Sequence, residues 1–370
     1  MKPKLVGVNL TFIEARPLTG PGYHAVEMFE QMVAQLPERP HLTLRGYAQA
    51  SARHHFSDAA APYISFIDGE RGRIKRVLYE QFVLPWRTRA DKVDLLLSPS
   101  FVSPLFGAPK LAAHIYDMYY RVEPQFANRF QYYYWGLMIP ATARVSKLLL
   151  TISENSRRDI IKYLGVPAER VVVTPCGSRL NDRSPRAGTS GIEGPFLLMV
   201  ANLMPNKNVG VVVDAVKRLR ARGLPLRLIH VGSDPVDQLK HAIAAHDATA
   251  FVEATGKIDN ERLVALYQDA FALVVASLYE GFCMPIVEAQ SVGGMVISSN
   301  SSCLPEVAGE GALFFDPHDP DQLVDQVVRL EADPALRGLM IERGRTNAAR
   351  MTWSHTARLT YDALEKVLAG

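Results

Sequence analysis

Short runs of valine, isoleucine and leucine alternate along the chain with longer segments of helical periodicity, and this alternation constrains the fold more than any other feature. Runs of this kind, bounded by turn residues, suit strands buried on both faces of a parallel sheet, with helices as the crossover connections. The second half shows the pattern best. It predicts strands at 196–201, 226–231, 250–252, 271–276 and 295–299, and helices at 209–222, 235–246, 260–269 and 285–292.

The first half follows the pattern less regularly, with strands predicted at 5–10, 42–47, 95–97, 111–115 and 148–152. A chain of 370 residues is longer than one hydrophobic core comfortably serves, so we expect two domains. Apolar periodicity lapses between Cys176 and Pro195, where glycine, serine and proline crowd together. We therefore predict an α/β protein of two doubly wound, Rossmann-like domains, residues 1–178 and 196–353, with a linker at 179–195 and a final helix within 354–370.

Composition excludes several classes of protein. A net charge of +3 is too small for a strong field, so nucleic acid is not expected as a partner. Cys176, Cys283 and Cys303 lie far apart without a CxxC spacing, which favours reduced thiols in the cytoplasm over disulfides or a zinc site. The first strand begins at about Leu5 and leaves no room for a signal peptide, and the uncharged run 131–143 is too short to span a bilayer. We expect a soluble or membrane-surface protein.

The segment from Ser277 to Glu288 carries the clearest chemical signal. It leaves a buried strand, crosses a tight loop and enters a helix with Pro285 in its first turn. A helix amino terminus at the carboxyl edge of a parallel sheet is a site for phosphate, and Glu288 is placed to accept hydrogen bonds from both ribose hydroxyls of a nucleotide. Glu280 would face the group attached to the phosphate. The alternative is that both acids have no ligand and are present only because negative charge is favourable near the amino-terminal end of a helix dipole.

Several flanking pieces accompany this segment in a particular order: Thr151 to Asp159, Gly165 to Arg170, Asn300 to Gly309, and Gly311 to Pro317. With these pieces the chain resembles the family-4 retaining glycosyltransferases of GT-B architecture over nearly its whole length. Glu280 and Glu288 match the E-x7-E motif of that family. The resemblance implies two domains facing a central cleft, with the last helix crossing back to the first domain. It also implies that the C-terminal domain binds a nucleotide-sugar donor and the N-terminal domain the acceptor.

The resemblance assigns roles to individual residues. Glu288 would bind the donor ribose, Glu280 would lie beside the transferring sugar, and Lys207 would contact the diphosphate. A glycine-containing loop, Thr19 to His24, would approach the phosphates before a helix that begins at about Ala25. The remaining residues expected at the donor are Gly20, Gly22, Asn202, Asn206, Gly281, Phe282, Cys283 and Met284.

The sequence departs from the family at two places. Asn202 and Asn206 stand where many members have arginines, so neutralisation of the diphosphate would depend on Lys207 and backbone N–H groups. In the N-terminal domain the family often has I-H-D after a strand, with the histidine reaching the donor sugar. Here Tyr116, followed by Asp117, takes the place of that histidine, and His114 lies two residues earlier on the same strand face. All three are candidates for catalysis, and the alternative for His114 is an interior histidine with satisfied hydrogen bonds.

A basic and aromatic segment between Arg71 and Lys92 has two interpretations. It suits a peripheral membrane contact or a groove for a lipid-pyrophosphate acceptor, or else it is a solvated basic helix whose apolar face belongs to the core. Its basic residues are Arg71, Arg73, Lys75, Arg76, Arg87, Arg89 and Lys92.

Together these features predict a retaining glycosyltransferase that acts in surface polysaccharide (lipopolysaccharide) biosynthesis, in the cytoplasm or at the inner face of the cytoplasmic membrane. We expect mannose from GDP-mannose first, and UDP- or dTDP-sugars next, with a glycan or a lipid-linked acceptor. No cofactor and no metal are expected, since Asp319-Pro320-Asp321 is better interpreted as a helix cap than as a metal-binding DxD. The alternatives are a non-catalytic nucleotide-sugar-binding partner, a sugar-nucleotide epimerase, or a phosphorylase-like enzyme with lysine-linked pyridoxal.

Overall fold

The computed structural model describes residues 2–15, 18–68, 72–126, 129–180 and 189–370. The chain divides into two compact units. Unit 1 comprises Met1–Cys176 together with Trp353–Gly370, and unit 2 comprises Gly177–Thr352. Residues 181–188 of the linker predicted at 179–195 fall outside the described residues.

Unit 1 is built on a seven-stranded sheet in the order β3-β2-β1-β4-β5-β6-β7, with every recorded strand pair parallel. All five strands predicted in this half are present, and β3 and β7 are additional short strands. The strands are β1 Lys4–Leu10, β2 Leu42–Gln49, β3 Ile64–Ile67, β4 Leu95–Ser98, β5 Lys110–His114, β6 Leu148–Thr151 and β7 Val171–Val173.

Helices cover this sheet. They are α1 Gly20–Gln35, α2 Arg73–Leu78, α3 Leu84–Ala90, α4 Tyr119–Val122, α5 Arg129–Val145 and α6 Glu154–Leu164. The expectation that the first helix begins at about Ala25 is wrong, because Gly20, Pro21 and Gly22 form its first turn. Proline is tolerated there since the first N–H groups of a helix have no partner within the helix.

A C-terminal helix, Trp353–Ala369, completes unit 1 by packing on α1. The Tyr361 hydroxyl donates to the Met32 carbonyl oxygen at 2.7 Å, and the guanidinium of Arg39 lies 4.5 Å from the centre of the Tyr361 ring. At the other end of the helix, the Gln35 amide donates to the Ser354 carbonyl oxygen at 2.8 Å. Ala357, Tyr361 and Leu364 of the last helix belong to one hydrophobic core with Val6 and Val8 of β1.

Unit 2 is built on a six-stranded sheet in the order β10-β9-β8-β11-β12-β13, again with every recorded pair parallel. Its strands are β8 Phe196–Val200, β9 Arg227–Val231, β10 Val252–Gly256, β11 Ala272–Val275, β12 Val296–Ser299 and β13 Leu313–Phe315. Its helices are α7 Val209–Ala221, α8 Gln238–His246, α9 Asn260–Asp269, α10 Met284–Ser291, α11 Leu304–Ala308, α12 Pro320–Ala332 and α13 Pro334–Ala348.

Most predicted elements of unit 2 agree with the structure to within a few residues. The strand predicted at 250–252 is wrong in position, because Phe251 N–H donates to the Ala248 carbonyl oxygen at 3.1 Å in a turn that follows α8. In each unit the strand order reverses beside one strand, β1 in unit 1 and β8 in unit 2. Ligands of open parallel sheets bind outside the carboxyl ends of the strands at such a reversal.

Candidate functional site

Lys207 and Glu280 meet at the reversal point of unit 2. Lys207 ends a short helical turn after β8, and Glu280 lies in the loop after β11, the neighbouring strand. The Lys207 ammonium donates a hydrogen bond to Glu280 Oε1, and the Ser277 hydroxyl donates to the same oxygen at 2.8 Å. The two charged side chains are only 23% and 13% exposed. The site therefore holds a shielded ion pair at the edge where a ligand is expected.

The carboxylate keeps the lysine charged. Burial alone would lower the pKa of the Lys207 ammonium, but the attraction of Glu280 and its hydrogen bond outweigh burial, and the pKa is raised. An ammonium that stays protonated is suited to stabilising negative charge on a diphosphate.

Side-chain hydrogen bonds fix the backbone on both sides of this pair. The Asn206 amide donates to the Tyr279 carbonyl oxygen at 3.0 Å, which ties the lysine loop to the glutamate loop. The Glu280 N–H donates to the Ser302 hydroxyl at 3.0 Å, and the Cys303 thiol donates to the Glu280 carbonyl oxygen at 3.1 Å. Asn206 is 8% exposed, so its predicted place in the donor site coincides with a structural role.

Three residues around the pair have a left-handed backbone that disfavours ordinary side chains. Asn208, Cys283 and Ser302 have φ angles of 55°, 79° and 49°. Non-glycine residues in this region carry strain and often cluster at functional sites. Nothing in the sequence distinguishes these positions, because none of them is a glycine.

Glu288 lies in α10, one turn beyond the amino-terminal end, and is completely buried. Arg179 Nε donates to its Oε1 at 2.6 Å, and the Tyr267 hydroxyl donates to its Oε2 at 3.1 Å. Burial and then the Glu288 charge raise the pKa of the Tyr267 hydroxyl. A carboxylate oxygen has two lone pairs, so each oxygen retains acceptor capacity, although protein groups cover the side chain completely in this structure. Sequence reasoning missed both partners, since neither stands in a motif.

The remaining donor candidates of unit 2 line the same edge of the sheet. Asn202 follows β8, and its side-chain oxygen accepts from the Ser233 hydroxyl at 2.8 Å and from the Ser233 N–H at 3.2 Å. Gly281, Phe282, Cys283 and Met284 connect Glu280 to the first turn of α10. Phe282 is buried, so its side chain holds the loop against the interior of the protein.

In unit 1 the strand-end candidates form an aromatic cluster. The Tyr116 ring stacks on the His114 ring with centroids 4.6 Å apart and planes 13° apart. His24 of α1 meets the His114 ring edge-on at 4.4 Å, and the Trp353 ring lies 5.6 Å from His24. The Tyr116 hydroxyl lies 3.0 Å from the Pro99 carbonyl oxygen and 3.3 Å from His24 Nδ1. The structure therefore adds His24 and Trp353 to the predicted set.

The histidines of this cluster are buried and incompletely bonded. Among the described residues, neither ring nitrogen of His114 has a hydrogen-bond partner. The Nε2 atom of His24 has none either. His114 thus lies in the interior of unit 1, and no described protein group bonds its ring nitrogens. Burial lowers the pKa of His24 to about 3, and burial followed by the nearby His24 lowers the pKa of His114 well below its ordinary value. Both rings are neutral at physiological pH.

The other unit 1 candidates lie beside this cluster. The Asp117 carboxylate accepts from the Tyr119 N–H at 3.0 Å at the start of α4. Gly20 is exposed at the first turn of α1, whereas a side chain at Gly22 would come within 3.1 Å of Leu18. Gly20 and Gly22 thus mark a helix amino terminus rather than a loop.

Asp319 caps α12, as predicted. Its side chain accepts from the Asp321 N–H at 3.0 Å, which accounts for the DxD pattern without a metal. Among the described residues no group of three or more histidine, cysteine or acidic side chains is arranged to hold a metal ion. In the same part of the chain, no helix is both long and apolar enough to cross a membrane.

The basic segment of unit 1 exposes part of its apolar face. Ile74, Leu78, Phe82 and Trp86 are 76%, 51%, 63% and 70% exposed. The interpretation that places the apolar face in the core holds for Tyr79 and Leu84, which are buried, and is wrong for Leu78, Phe82 and Trp86. Arg71 falls outside the described residues.

Comparison with known proteins adds a family match and relatives. Residues 182–347 match the family model described as "Glycosyl transferases group 1". O-antigen chain mannosyltransferase B of Escherichia coli is 28% identical over 290 residues, which cover 75% of this chain and 76% of that protein. The MMP alpha-(1->4)-mannosyltransferase of Mycolicibacterium hassiacum is 31% identical over 232 residues, which cover 61% of this chain and 56% of that protein.

A structural likeness extends over the whole chain. Sucrose-phosphate synthase of Thermosynechococcus elongatus superposes with a TM-score of 0.77 at 18% identity, and the match covers 99% of both chains. At this identity the likeness shows a common fold of two parallel-sheet units, and the family match covers most of unit 2, where Lys207, Glu280 and Glu288 lie.

Proposed function

The chain carries a group 1 glycosyltransferase domain in a GT-B fold, and from this premise we propose that it transfers a mannosyl group from a nucleotide-diphosphate sugar to a glycan or lipid-linked acceptor in surface polysaccharide biosynthesis. The Lys207–Glu280 pair next to the amino terminus of α10 carries the proposal. Two relatives named mannosyltransferases support the sugar.

The ion pair supplies the two charges that such a transfer needs. As the bond between the sugar C1 and the diphosphate oxygen breaks, negative charge develops on the diphosphate, and Lys207 with the N–H groups of α10 stabilises it. Glu280 stabilises the positive charge on the sugar ring. The acceptor hydroxyl attacks C1 from the face that the diphosphate leaves, so configuration is retained, and its proton passes to the departing phosphate oxygen. Glu288 holds the ribose.

Turnover of the purified protein tests these roles. Lys207→Met and Glu280→Gln are expected to lower kcat for transfer from GDP-mannose by about 100- to 1,000-fold, the cost of removing one preorganised charge from a transition state. Lys217→Met and Glu261→Gln, both at exposed positions of unit 2, are the matched controls and should retain activity. Near-normal turnover in either site variant, with unchanged thermal unfolding, would reject the assignment. Donor turnover by the wild type separates an enzyme from a non-catalytic binding partner.

Nucleotide-dependent thermal shifts test the donor. We propose GDP-mannose first and UDP- or dTDP-sugars next. A nucleotide present at a hundredfold its dissociation constant adds roughly 2.7 kcal/mol to the free energy of unfolding, so GDP, UDP and dTDP can be ranked directly. Glu288→Gln should reduce the shift given by the preferred nucleotide. A larger shift with UDP or dTDP than with GDP would replace the proposed donor.

We further propose that the protein works in the cytoplasm at the inner face of the cytoplasmic membrane. The support is chemical: a lipid-pyrophosphate-linked acceptor lies at a bilayer surface, and unit 1 exposes both apolar and basic side chains on one helical segment. A peripheral contact of this kind would bring the enzyme to its acceptor without a membrane-spanning helix.

A further inference from the structure

One continuous helical segment of unit 1, from Arg73 to Ala90, exposes large apolar side chains at every fourth position. These are Ile74, Leu78, Phe82 and Trp86, here called the apolar stripe, and each is at least 51% exposed. In a regular α-helix a spacing of four residues drifts around the axis by about 40° at each step. The π-helical turn Tyr79–Val83 between α2 and α3 contains more residues per turn and offsets that drift, so the stripe stays on one side of the segment.

The opposite side of the segment is firmly attached to unit 1. Glu80 is buried and accepts from the Thr11 hydroxyl at 2.8 Å, and Leu84 is completely buried. The Gln81 side chain bonds the Ser103 carbonyl oxygen at 3.1 Å and the Leu105 N–H at 3.0 Å. This contact holds the following loop against the segment, and the loop contributes Phe106, which is 76% exposed. The apolar surface is therefore fixed by the fold before any partner arrives.

The charged side chains around the stripe are predominantly basic. Lys75 and Arg89 are exposed, and the Arg89 guanidinium lies 5.9 Å from the centre of the Trp86 ring. Glu80, the acid of the segment, and Asp91, which follows it, do not offset these charges at the surface, since Glu80 is buried and Asp91 is paired with Arg45 at 3.0 Å. Exposed apolar side chains next to unpaired basic side chains are complementary to a surface that has an apolar interior and an anionic outer layer.

We propose that the apolar stripe and its basic neighbours dock unit 1 on the surface of an anionic phospholipid bilayer. The segment lies in the plane of the interface, with Phe82, Trp86 and Phe106 among the acyl chains near the headgroups and the basic residues at the lipid phosphates. Docking on a bilayer would bring unit 1 to the lipid-linked acceptor of the proposed function, and in that respect the inference rests on the proposed function. The binding itself needs neither donor nor acceptor, so it is measured separately from transfer.

Co-sedimentation of the whole chain with vesicles tests the proposal. The vesicles are phosphatidylcholine alone, or phosphatidylcholine and phosphatidylglycerol in equal parts, and no nucleotide sugar is present. Wild type is expected to bind the anionic vesicles, and Trp86→Ser with Arg89→Glu to weaken binding by at least about tenfold. The matched control is Tyr163→Ser with Lys162→Glu, which removes another exposed aromatic and cation pair of unit 1 from α6. The control variant should bind as wild type does. Arg76 is unsuitable as a probe because it lies 3.7 Å from buried Glu80.

Several outcomes would overturn the proposal. They are equal binding of wild type and stripe variant, an equal loss in the control variant, or wild-type binding that is no stronger on anionic than on neutral vesicles. Another outcome is that the wild type binds no vesicles but self-associates, and that the stripe variant does not self-associate. This outcome would assign the stripe to contact with a second copy of the chain instead. Loss of mannosyl transfer with intact vesicle binding would count against the proposed function alone.

Discussion

The buried histidines of unit 1 should make that unit sensitive to mild acid. His24 is 1% exposed and its pKa is lowered to about 3 by burial, whereas in the unfolded chain it titrates near 6.5. Below pH 6.5 the unfolded state therefore binds a proton that the folded state does not, and the free energy of unfolding falls as the pH falls toward 3. From pH 7 to pH 5 the loss is about 2 kcal/mol for His24. His114, whose pKa is also lowered, acts in the same direction.

Tryptophan fluorescence isolates this effect. The chain has 3 tryptophans, and Trp86, Trp135 and Trp353 all belong to unit 1, so urea unfolding followed by fluorescence reports on unit 1. His24→Phe keeps a ring in the cluster and removes the titrating group. Its free energy of unfolding should lose about 2 kcal/mol less than that of wild type between pH 7 and pH 5.

The control is His54→Phe, at an exposed position of the same unit. The His54 side chain meets solvent in both the folded and the unfolded state, so the pH dependence of this variant should match that of wild type. If His24→Phe and wild type lose equal stability over this pH range, the reasoning from burial is refuted, whatever the absolute stability of the variant.

Two further predictions concern unit 2. Gly232 has φ of 133°, and a β-carbon there would lie 2.0 Å from the Ala201 carbonyl oxygen, so Gly232→Ala should destabilise unit 2 by more than about 2 kcal/mol in calorimetry. Gly338→Ala, inside α13 with open space around it, should instead stabilise by about 0.5–1 kcal/mol, and the same sign for both variants would contradict the argument. Asp319→Ala removes the cap of α12 and should lower stability by about 1 kcal/mol, whereas exposed Asp325→Ala on the same helix should change it little; equal effects would reject the capping role.

The sequence predicted best those elements whose signals are local. Helix α9 was placed at Asn260–Asp269 as observed, because its periodicity is clear and Asp259 caps it by accepting from the Arg262 N–H at 2.8 Å. Strands β3, β7 and β13 were missed. They lie at sheet edges and are only partly buried, unlike the equally short but fully buried β4 and β6, which were predicted.

In the candidate site, too, residues with a local sequence signal were predicted and residues that only the fold brings together were not. Lys207, Glu280 and Glu288 are found at the predicted sheet edge because each follows a strand or begins a helix. Arg179 is 109 residues from Glu288 along the chain, and only the folded structure shows that its guanidinium reaches that carboxylate. Likewise the periodicity of the segment after Arg73 revealed an apolar face, but periodicity does not say whether such a face meets the core or the solvent.

The C-terminal helix has a consequence for the order in which the protein folds. Unit 1 is interrupted by the whole of unit 2, and the contact between Tyr361 and Met32 closes a separation of 329 residues. A ribosome releases the residues of unit 2 as one uninterrupted stretch, so unit 2 can complete its core while α1 still lacks its covering helix. The usual rule that the N-terminal domain matures first is then reversed for this chain. Until the last helix has been synthesised, the side of α1 on which Tyr361 packs lacks its cover.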